Sequence, residues 1–220
     1  MGRHKLSEIL EWTGGQLTGP ARPSPDLVFE DISTDTRSLP EGSLFLALRG
    51  ARYDGHAFLD KAIAAGAAGL IAEKGVFKPE LLAGASAGAV ILVDDTLAAL
   101  QNIAAGYRKT LAGRVIAITG SVGKTSTRQM VAACLSGSMP VHLTSGNLNN
   151  EIGVPKTLLQ ADRNHQAIIL EMGMRGSGEI RLLSQLARPD TALITNIGLS
   201  HVERLGSREA ILAAKTEIID

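Results

Sequence analysis

Cysteine is almost missing from this chain: Cys134 is the single one in 220 residues. One thiol excludes an internal disulfide and a zinc site built on cysteines, and it suits a reducing compartment. Its neighbours, Met130-Val131-Ala132-Ala133 and Leu135, predict a thiol buried on the apolar side of a helix. Aromatic residues are also scarce, 3% of the total with one Trp and two Tyr, which leaves little to stack on nucleic-acid bases. Net charge is missing: 22 Lys plus Arg balance 22 Asp plus Glu, so no overall field draws the protein to nucleic acid or to an anionic membrane. No apolar run reaches the roughly 20 residues that cross a bilayer. After the basic start Arg3-His4-Lys5, Glu8 and Glu11 interrupt what would be the apolar part of a secretory signal. A cytoplasmic protein with no nucleic-acid partner and no membrane insertion is expected. The 45% of apolar residues is ordinary, and at this length supports one large domain or two small ones.

What the chain does have is one stretch that the rest can be read as serving, Thr119-Gly120-Ser121-Val122-Gly123-Lys124-Thr125-Ser126-Thr127. It follows the apolar run Val115-Ile116-Ala117-Ile118 and opens a helix-like segment that reaches Leu135. Strand, glycine turn and helix start is the setting in which Gly-Lys-Thr binds phosphate. Gly120 and Gly123 let the backbone turn tightly and aim N–H groups at one anion. The helix N-terminus adds partial positive charge. Lys124 brings a mobile full charge to the outer phosphates, and the Thr125 hydroxyl suits Mg²⁺. The first glycine of the common pattern would fall at Ile118, so this loop is a variant.

Ahead of the loop, Leu6, Ile9, Leu10 and Trp12 recur at helical spacing up to Gly14-Gly15. Pro20, Pro23 and Pro25 forbid regular structure until Leu27-Val28-Phe29. Leu44 to Leu48 predicts a buried strand, Ala57 to Ala65 a helix ended by Gly66, and Gly69–Ala72 and Ala89–Val93 two more strands around a loop at 82–88. The cap Asp94-Asp95-Thr96 starts a helix through Leu111, with apolar residues at 97, 100, 103, 104 and 107. A domain boundary is placed near Asp95, giving domains 1–95 and 96–220. Beyond it, strands at Val115–Ile118, Val141–Leu143, Ala167–Leu170 and Thr191–Ile194 alternate with helices at Thr125–Leu135, Pro155–Leu159, Gly178–Leu186 and from Ser207 onward. That alternation predicts an α/β fold with a parallel, helix-covered sheet.

Ligands of such sheets sit beyond the carboxyl ends of the strands, where Lys124, Asn147 to Asn150, Glu171, Asn196 and His201 fall. Glu171, closing the strand Ile168-Ile169-Leu170, is well placed for Mg²⁺, directly or through water. Taken alone, His201 is a loop histidine that its strand-end position makes a site candidate. Asn147, Asn149 and Asn150 are turn formers or hydrogen-bonding partners of a polar substrate, and composition does not decide.

These residues carry a resemblance. The loop 119–127, Gly-Asn-Leu-Asn-Asn-Glu-Ile-Gly-Val-Pro at 146–155, Glu171-Met172-Gly173-Met174, Gly178-Glu179-Ile180, Arg188-Pro189, Thr195-Asn196-Ile197-Gly198 and His201 with Leu205-Gly206-Ser207 occur in order. With Asp35-Thr36-Arg37, Gly42, Phe45 and the stretch Gly50 to Phe58 at the front, the whole chain resembles the Mur ligases. The Asn-Leu-Asn-Asn and Glu-Met-Gly signatures resemble the member that adds a dipeptide more than those that add single amino acids. The resemblance implies a small N-terminal α/β nucleotide-sugar-binding domain and an incomplete central ATPase domain with a P-loop and a parallel sheet.

It implies that Thr119, Gly120, Ser121, Val122, Gly123, Lys124, Thr125, Ser126 and Asn196 hold ATP. Thr125, Glu171, His201 and Lys215 would serve Mg²⁺, with Lys215 converted by CO₂ to a carbamate. The catalytic set would be Lys124, Glu171, His201 and Lys215. Ser33, Thr34, Asp35, Arg37, Asp54 and His56 would take the uridine diphosphate end of UDP-N-acetylmuramoyl-tripeptide, and Asn147, Asn149, Asn150 and Arg175 its peptide end. D-Ala-D-Ala would be the second substrate, joined through an acyl phosphate in peptidoglycan precursor synthesis by a protein that is monomeric at full length. Family members continue well past residue 220 into a further domain, so a fragment with impaired or absent ligation is expected. Two other readings stand beside this one: a non-catalytic nucleotide- or UDP-sugar-binding fragment, and a related ligase adding one amino acid. Without the family, Lys215 reads as a helix-surface lysine.

Overall fold

A computed structural model describes residues 3–19, 23–50, 53–78, 80 and 88–220. The chain divides into two units, Met1–Ile103 and Ala104–Asp220.

In the first unit, helix α1 (Leu6–Thr13) buries Leu6 and Ile9 and stops at Gly14, whose φ is 62°. A left-handed residue there is the usual glycine terminus. It is flanked by a two-stranded antiparallel pair, β1 (His4–Lys5) with β3 (Val28–Phe29), and followed by β2 (Gln16–Thr18). The main sheet has the order β2-β7-β6-β5-β4, with β4 at Ile32–Ser33, β5 at Leu44–Leu46, β6 at Gly69–Glu73 and β7 at Ala89–Val93. Strands β4 to β7 are parallel and β2 closes one edge antiparallel to β7. Strands β5, β6 and β7 are apolar nearly throughout because both their faces are covered. Phe45, Leu59, Leu70 and Val90 form the centre of the core.

Two expectations change here. The strand expected to reach Leu48 ends at Leu46, because the chain turns back there and Leu48 is bonded to Leu46 and Gly55. The helix expected from Ala57 begins as a 3₁₀ turn, Gly55–Phe58, and becomes helical in α2, Leu59–Ala64. Strands β1, β2 and β4 have two or three residues each, too few to show alternation. The loop expected at 82–88 lies outside the described residues save for Gly88, as do Ala51 and Arg52 of the turn after Arg49.

The division between the units falls within α3, Thr96–Arg108. The second sheet has the order β11-β8-β10-β9, all parallel. Its strands are β8 (Arg114–Thr119), β9 (Val141–Leu143), β10 (Ala167–Glu171) and β11 (Thr191–Ile194). Helices α4 (Lys124–Ser136), α5 (Gly153–Gln160) and α6 (Glu179–Ala187) connect them, followed by α7 (Val202–Leu205) and α8 (Arg208–Thr216). Four-residue α7 was not foreseen. Register aligns the strand ends: Glu171 lies opposite Ile118, and Ile194 opposite Thr119. At the opposite end Asp190 accepts from Val115 N–H and pairs with Arg108 and Arg114. Chiefly that N–H, then the two guanidiniums, holds its carboxyl below the usual range.

The start of α6 is tied from a distance. Gly178, its N-cap, has φ 84° and brings no side chain to the first turn. Glu217, 39 residues on, does so instead: its carboxylate accepts from Gly178 N–H at 2.8 Å and from Arg181 N–H at 3.2 Å. Ser184 Oγ donates to Ile218 O, and Arg181 pairs with Asp220.

Cys134 corrects its expectation: the thiol is exposed. Helix α4 turns Arg128 and Ala132 inward, and a residue two positions after Ala132 points about 200° away on a helix of 3.6 residues per turn.

Candidate active site

The loop between β8 and α4 is shaped by Gly120 at φ 147° and Gly123 at φ 81°. A Cβ on Gly120 would collide with Thr195 Oγ1, so that position needs glycine on two counts. Gly123 is the N-cap of α4 and supplies no side-chain cap. The first-turn N–H groups are thereby left for an outside acceptor, in the field of the helix N-terminus.

The segment after β11 clasps this loop. Thr195 Oγ1 donates to Val122 O, Asn196 Oδ1 accepts from Val122 N–H, and its Nδ2 donates to Val122 O. Gly198 N–H donates to Ser121 Oγ. Asn196 is thus bonded to the loop itself. Lys124 Nζ folds back to Gly120 O at 2.8 Å, and Thr119 Oγ1 donates to Met172 O.

Glu171, 3% exposed, is where the loop meets β10. Thr125 Oγ1 donates to its Oε2 at 2.9 Å and Asn149 Nδ2 to its Oε1 at 2.9 Å. Arg128 Nη1 stands 3.2 Å from Oε2. Thr144 Oγ1 accepts from Glu171 N–H. Arg128 was not anticipated. It sits at the fourth position after Lys124, on the same face of α4, but nothing local marks its partner.

A cavity of about 430 Å³ opens beside these groups, lined by Lys124, Asn147, Asn149, Asn150, Arg175, His201 and Lys215 among others. Glu151, Met174, Glu179, Leu182 and Leu183 also line it and were not expected. Asn150 is a turn former as well, its Oδ1 accepting from Ile152 and Gly153 N–H. His201 has φ 69° and heads α7. Arg175 is exposed at the rim, its N–H bonded to Glu179.

Lys215 is no surface lysine: it is 2% exposed. Amphipathic α8 packs Ile211 and Ala214 inward with it. Burial first, and Lys124 second, pull its ammonium down from 10.5 to about 8.

Among the described residues, no group of three or more His, Cys, Asp or Glu side chains is placed to hold a metal ion. Thr125 with one carboxylate at a phosphate loop still fits Mg²⁺, which takes few protein oxygens and completes its shell with phosphates and water.

The first unit has its own cavity of about 530 Å³, with Thr34, Asp35, Thr36 and Arg37 on one wall and Phe45, Leu48, Tyr53 and Phe58 on the other. Ser33 lies behind it, its hydroxyl exchanging bonds with Asp35 backbone groups. Asp35 is bonded to Arg37 through both carboxylate oxygens. Asp54 and His56 are not in the lining. Glu73 N–H donates to His56 Nε2, so the ring proton sits on Nδ1, 2.6 Å from Asp54 Oδ1. The His56 N–H, foremost, and the ring hold the Asp54 carboxyl below its usual range. With Arg49 reaching both Asp54 and Glu73, the pair ties down the turn that forms the cavity's wall. No helix of the described residues is long and apolar enough to cross a membrane.

Residues 118–220 match the Mur ligase middle domain and residues 29–108 the Mur ligase family catalytic domain. The chain is 46% identical over 220 residues to the UDP-N-acetylmuramoyl-tripeptide–D-alanyl-D-alanine ligase of Bacillus subtilis, covering all of this chain and 47% of that protein. It is 49% identical over 214 residues to the ligase of the same name from Synechocystis, covering 97% and 46%. Of solved structures, MurF from Acinetobacter baumannii superposes with a TM-score of 0.89 at 35% identity, over 99% of this chain and 46% of that one. MurF from Thermotoga maritima in complex with ADP superposes with a TM-score of 0.76 at 33% identity, over 86% and 42%. The chain therefore spans about half the length of the curated relatives it matches. Two matched domains, a phosphate loop in its required setting and identity along the full chain agree: the chain belongs to the Mur ligase family.

Proposed function

We propose that this chain carries the nucleotide-sugar-binding and ATP-binding parts of a cytoplasmic ligase that joins D-Ala-D-Ala to UDP-N-acetylmuramoyl-tripeptide in peptidoglycan precursor synthesis. Residues 1–95 would take the nucleotide sugar and 96–220 ATP. The observation that carries the proposal is the constellation at the strand ends of the second unit. Lys124, Asn149, His201 and Lys215 line one cavity, and Asn149 and Thr125 are both bonded to the buried Glu171 beside the glycine loop. The identity to ligases of that name supports the choice of substrates.

In the proposed reaction the tripeptide's terminal carboxylate attacks the γ-phosphorus of ATP. A P–O bond forms, the bond to ADP breaks, and an acyl phosphate results. The D-Ala-D-Ala amine then attacks the acyl carbon, phosphate leaves, and the amine loses a proton. Lys124 and the N–H groups opening α4 hold the phosphoryl oxygens as negative charge develops. Asn147, Asn149 and Asn150 orient the peptide end without adding charge. Thr125 and Glu171 would hold one Mg²⁺, and Lys215 as its carbamate, with His201, another; when bound, these ions offset phosphate charge. The carbamate fits Lys215 because the neutral amine is the form that adds CO₂, and burial enlarges that fraction. In the first unit, Thr34, Asp35 and Arg37 would take the polar uridine diphosphate, and the apolar wall the uracil face.

The test is calorimetric titration with UDP-N-acetylmuramoyl-tripeptide and an ATP analogue, followed by phosphate release with ATP and each of D-Ala-D-Ala, meso-diaminopimelate, lysine and glutamate. Binding of the muramoyl peptide supports the substrate class. Release driven only by D-Ala-D-Ala supports the ligase, whereas release driven by a single amino acid moves the assignment to another member. Binding without release leaves a substrate-holding chain that does not ligate, and absence of binding removes the proposal.

A further inference from the structure

Arg128 is a buried charge beside the second unit's site that the proposed chemistry does not use. It is 2% exposed, 3.2 Å from the equally buried carboxylate of Glu171. Buried ions are kept only where something compensates their desolvation, and this pair is poorly optimised for stability alone. Arg128 Nη1 donates to Gly146 O at 3.1 Å, while its Nε is buried with no hydrogen-bond partner. A side chain selected simply to prop the loop at Gly146 would not need a full charge or leave a donor unsatisfied. The charge also stands at a particular atom: Glu171 Oε2 is the oxygen that accepts from Thr125 Oγ1.

We infer that Arg128 is the resident counter-ion of Glu171, and that it makes the site take Mg²⁺ together with nucleotide phosphates rather than alone. The inference rests on reading Glu171 and Thr125 as magnesium residues. With Arg128 in place the carboxylate is already neutralised, and a bare dication arriving there meets a guanidinium that its bond to Gly146 O holds in position. Phosphate oxygens bring the negative charge that tips the balance. Lys124, one turn earlier on the same helix, adds to the preference for an anion-bearing partner. Arg128 acts here through Glu171 and is a positioning residue.

The probe is Mn²⁺, with the free ion followed by electron paramagnetic resonance, on the whole 220-residue chain with and without ADP. Wild type should bind Mn²⁺ strongly only with ADP. Arg128→Gln should bind Mn²⁺ alone roughly tenfold tighter than wild type, a modest change for removing a charge within a few ångströms of a dication. Arg128→Lys, which keeps the charge, should stay near wild type. An Arg128→Gln chain with unchanged affinity for Mn²⁺ alone would falsify the inference. So would wild type binding Mn²⁺ equally with and without ADP, a result that needs no variant to fold. Glu171→Gln separates the two levels: if Mn²⁺ with ADP still binds it as tightly as wild type, Glu171 is not a metal residue and the underlying reading fails. If that binding is lost while Arg128→Gln matches wild type, only the role of Arg128 falls.

Discussion

The two units carry their charged groups in opposite ways. In the second unit the charged groups are inside: Glu171, Arg128 and Lys215 are all buried, and Glu171 and Arg128 are bonded to one another and to their neighbours. In the first unit the charges are outside. Asp35 and Arg37 pair at 2.6 Å at the cavity's edge, with the Arg37 side chain 87% exposed, over an apolar wall. A buried constellation can stabilise charge that develops during a reaction, because its dipoles are fixed and water is excluded. An exposed ion pair beside apolar surface suits binding a polar molecule and releasing it, at small expense to the fold. On the proposed function, the contrast suits the second unit to chemistry and the first to capture.

The sharpest way to break that contrast is at the loop. Gly120→Ala puts a Cβ into Thr195 Oγ1 at a φ of 147°. Nucleotide binding measured by calorimetry should fall by about two orders of magnitude or more, the scale of a lost preorganised phosphate site. UDP-muramoyl-peptide binding by the first unit should survive. Loss of both would mean that the cavities are not separable.

Next in size is Glu217→Ala, which uncaps α6 and leaves two N–H groups in a half-buried setting. Chemical denaturation should show a loss of about 2 kcal/mol, the order of losing a charged acceptor from buried donors. Glu217→Gln should lose less. No change for the alanine variant would remove the distant cap from the account.

Lys215 gives a test with a sign. Its folded-state value is lowered to about 8 against 10.5 when unfolded. Between those values the unfolded chain holds more protons, so stability rises with pH across the window. Below about pH 8 the whole burden of a buried ammonium is present. Lys215→Met should therefore raise the melting temperature at pH 7, with the gain shrinking toward pH 10. A gain independent of pH would point to packing and not to charge.

The smallest expected effect lies in the first unit. Arg37→Ala should leave the melting temperature unchanged within scatter, since the side chain is solvated. It should nevertheless weaken UDP-muramoyl-peptide binding several-fold, the ordinary loss of a phosphate contact. If Arg37→Ala instead destabilises the fold and spares binding, the division between capture and chemistry is wrong.

The same contrast explains what the sequence could tell. Strands β6 to β8, β10 and β11 announce themselves as apolar runs, and the carboxyl-end rule then places Lys124, Glu171 and His201 together. Lys124 and His201 line one cavity, and Glu171 is bonded to Asn149 of that lining. Arg128 and Glu217 stayed silent because their partners are distant in sequence: 18 residues separate Arg128 from Gly146, and 39 separate Glu217 from Gly178. Nothing near His56 in the sequence announced that its ring accepts from Glu73 N–H, 17 residues further on. Spacing showed α8 to be helical but did not reveal that Lys215 lies on its inner side. Cys134 was misplaced because its neighbours are apolar, although helical geometry gives the inner face to Arg128 and Ala132.

The distant cap also bears on the order in which the site is made. Helix α6 supplies Glu179, Leu182 and Leu183 to the cavity wall, but its first turn has no acceptor until Glu217 is added, 39 residues later. At synthesis rates of about 5–20 residues per second, that is an interval of roughly 2–8 s. During it the nascent chain has its phosphate loop and strands β8 to β10, gains β11, and keeps an open end on α6, and Lys215 arrives only two residues before the lock. The cavity is completed only once Lys215 and Glu217 have been translated.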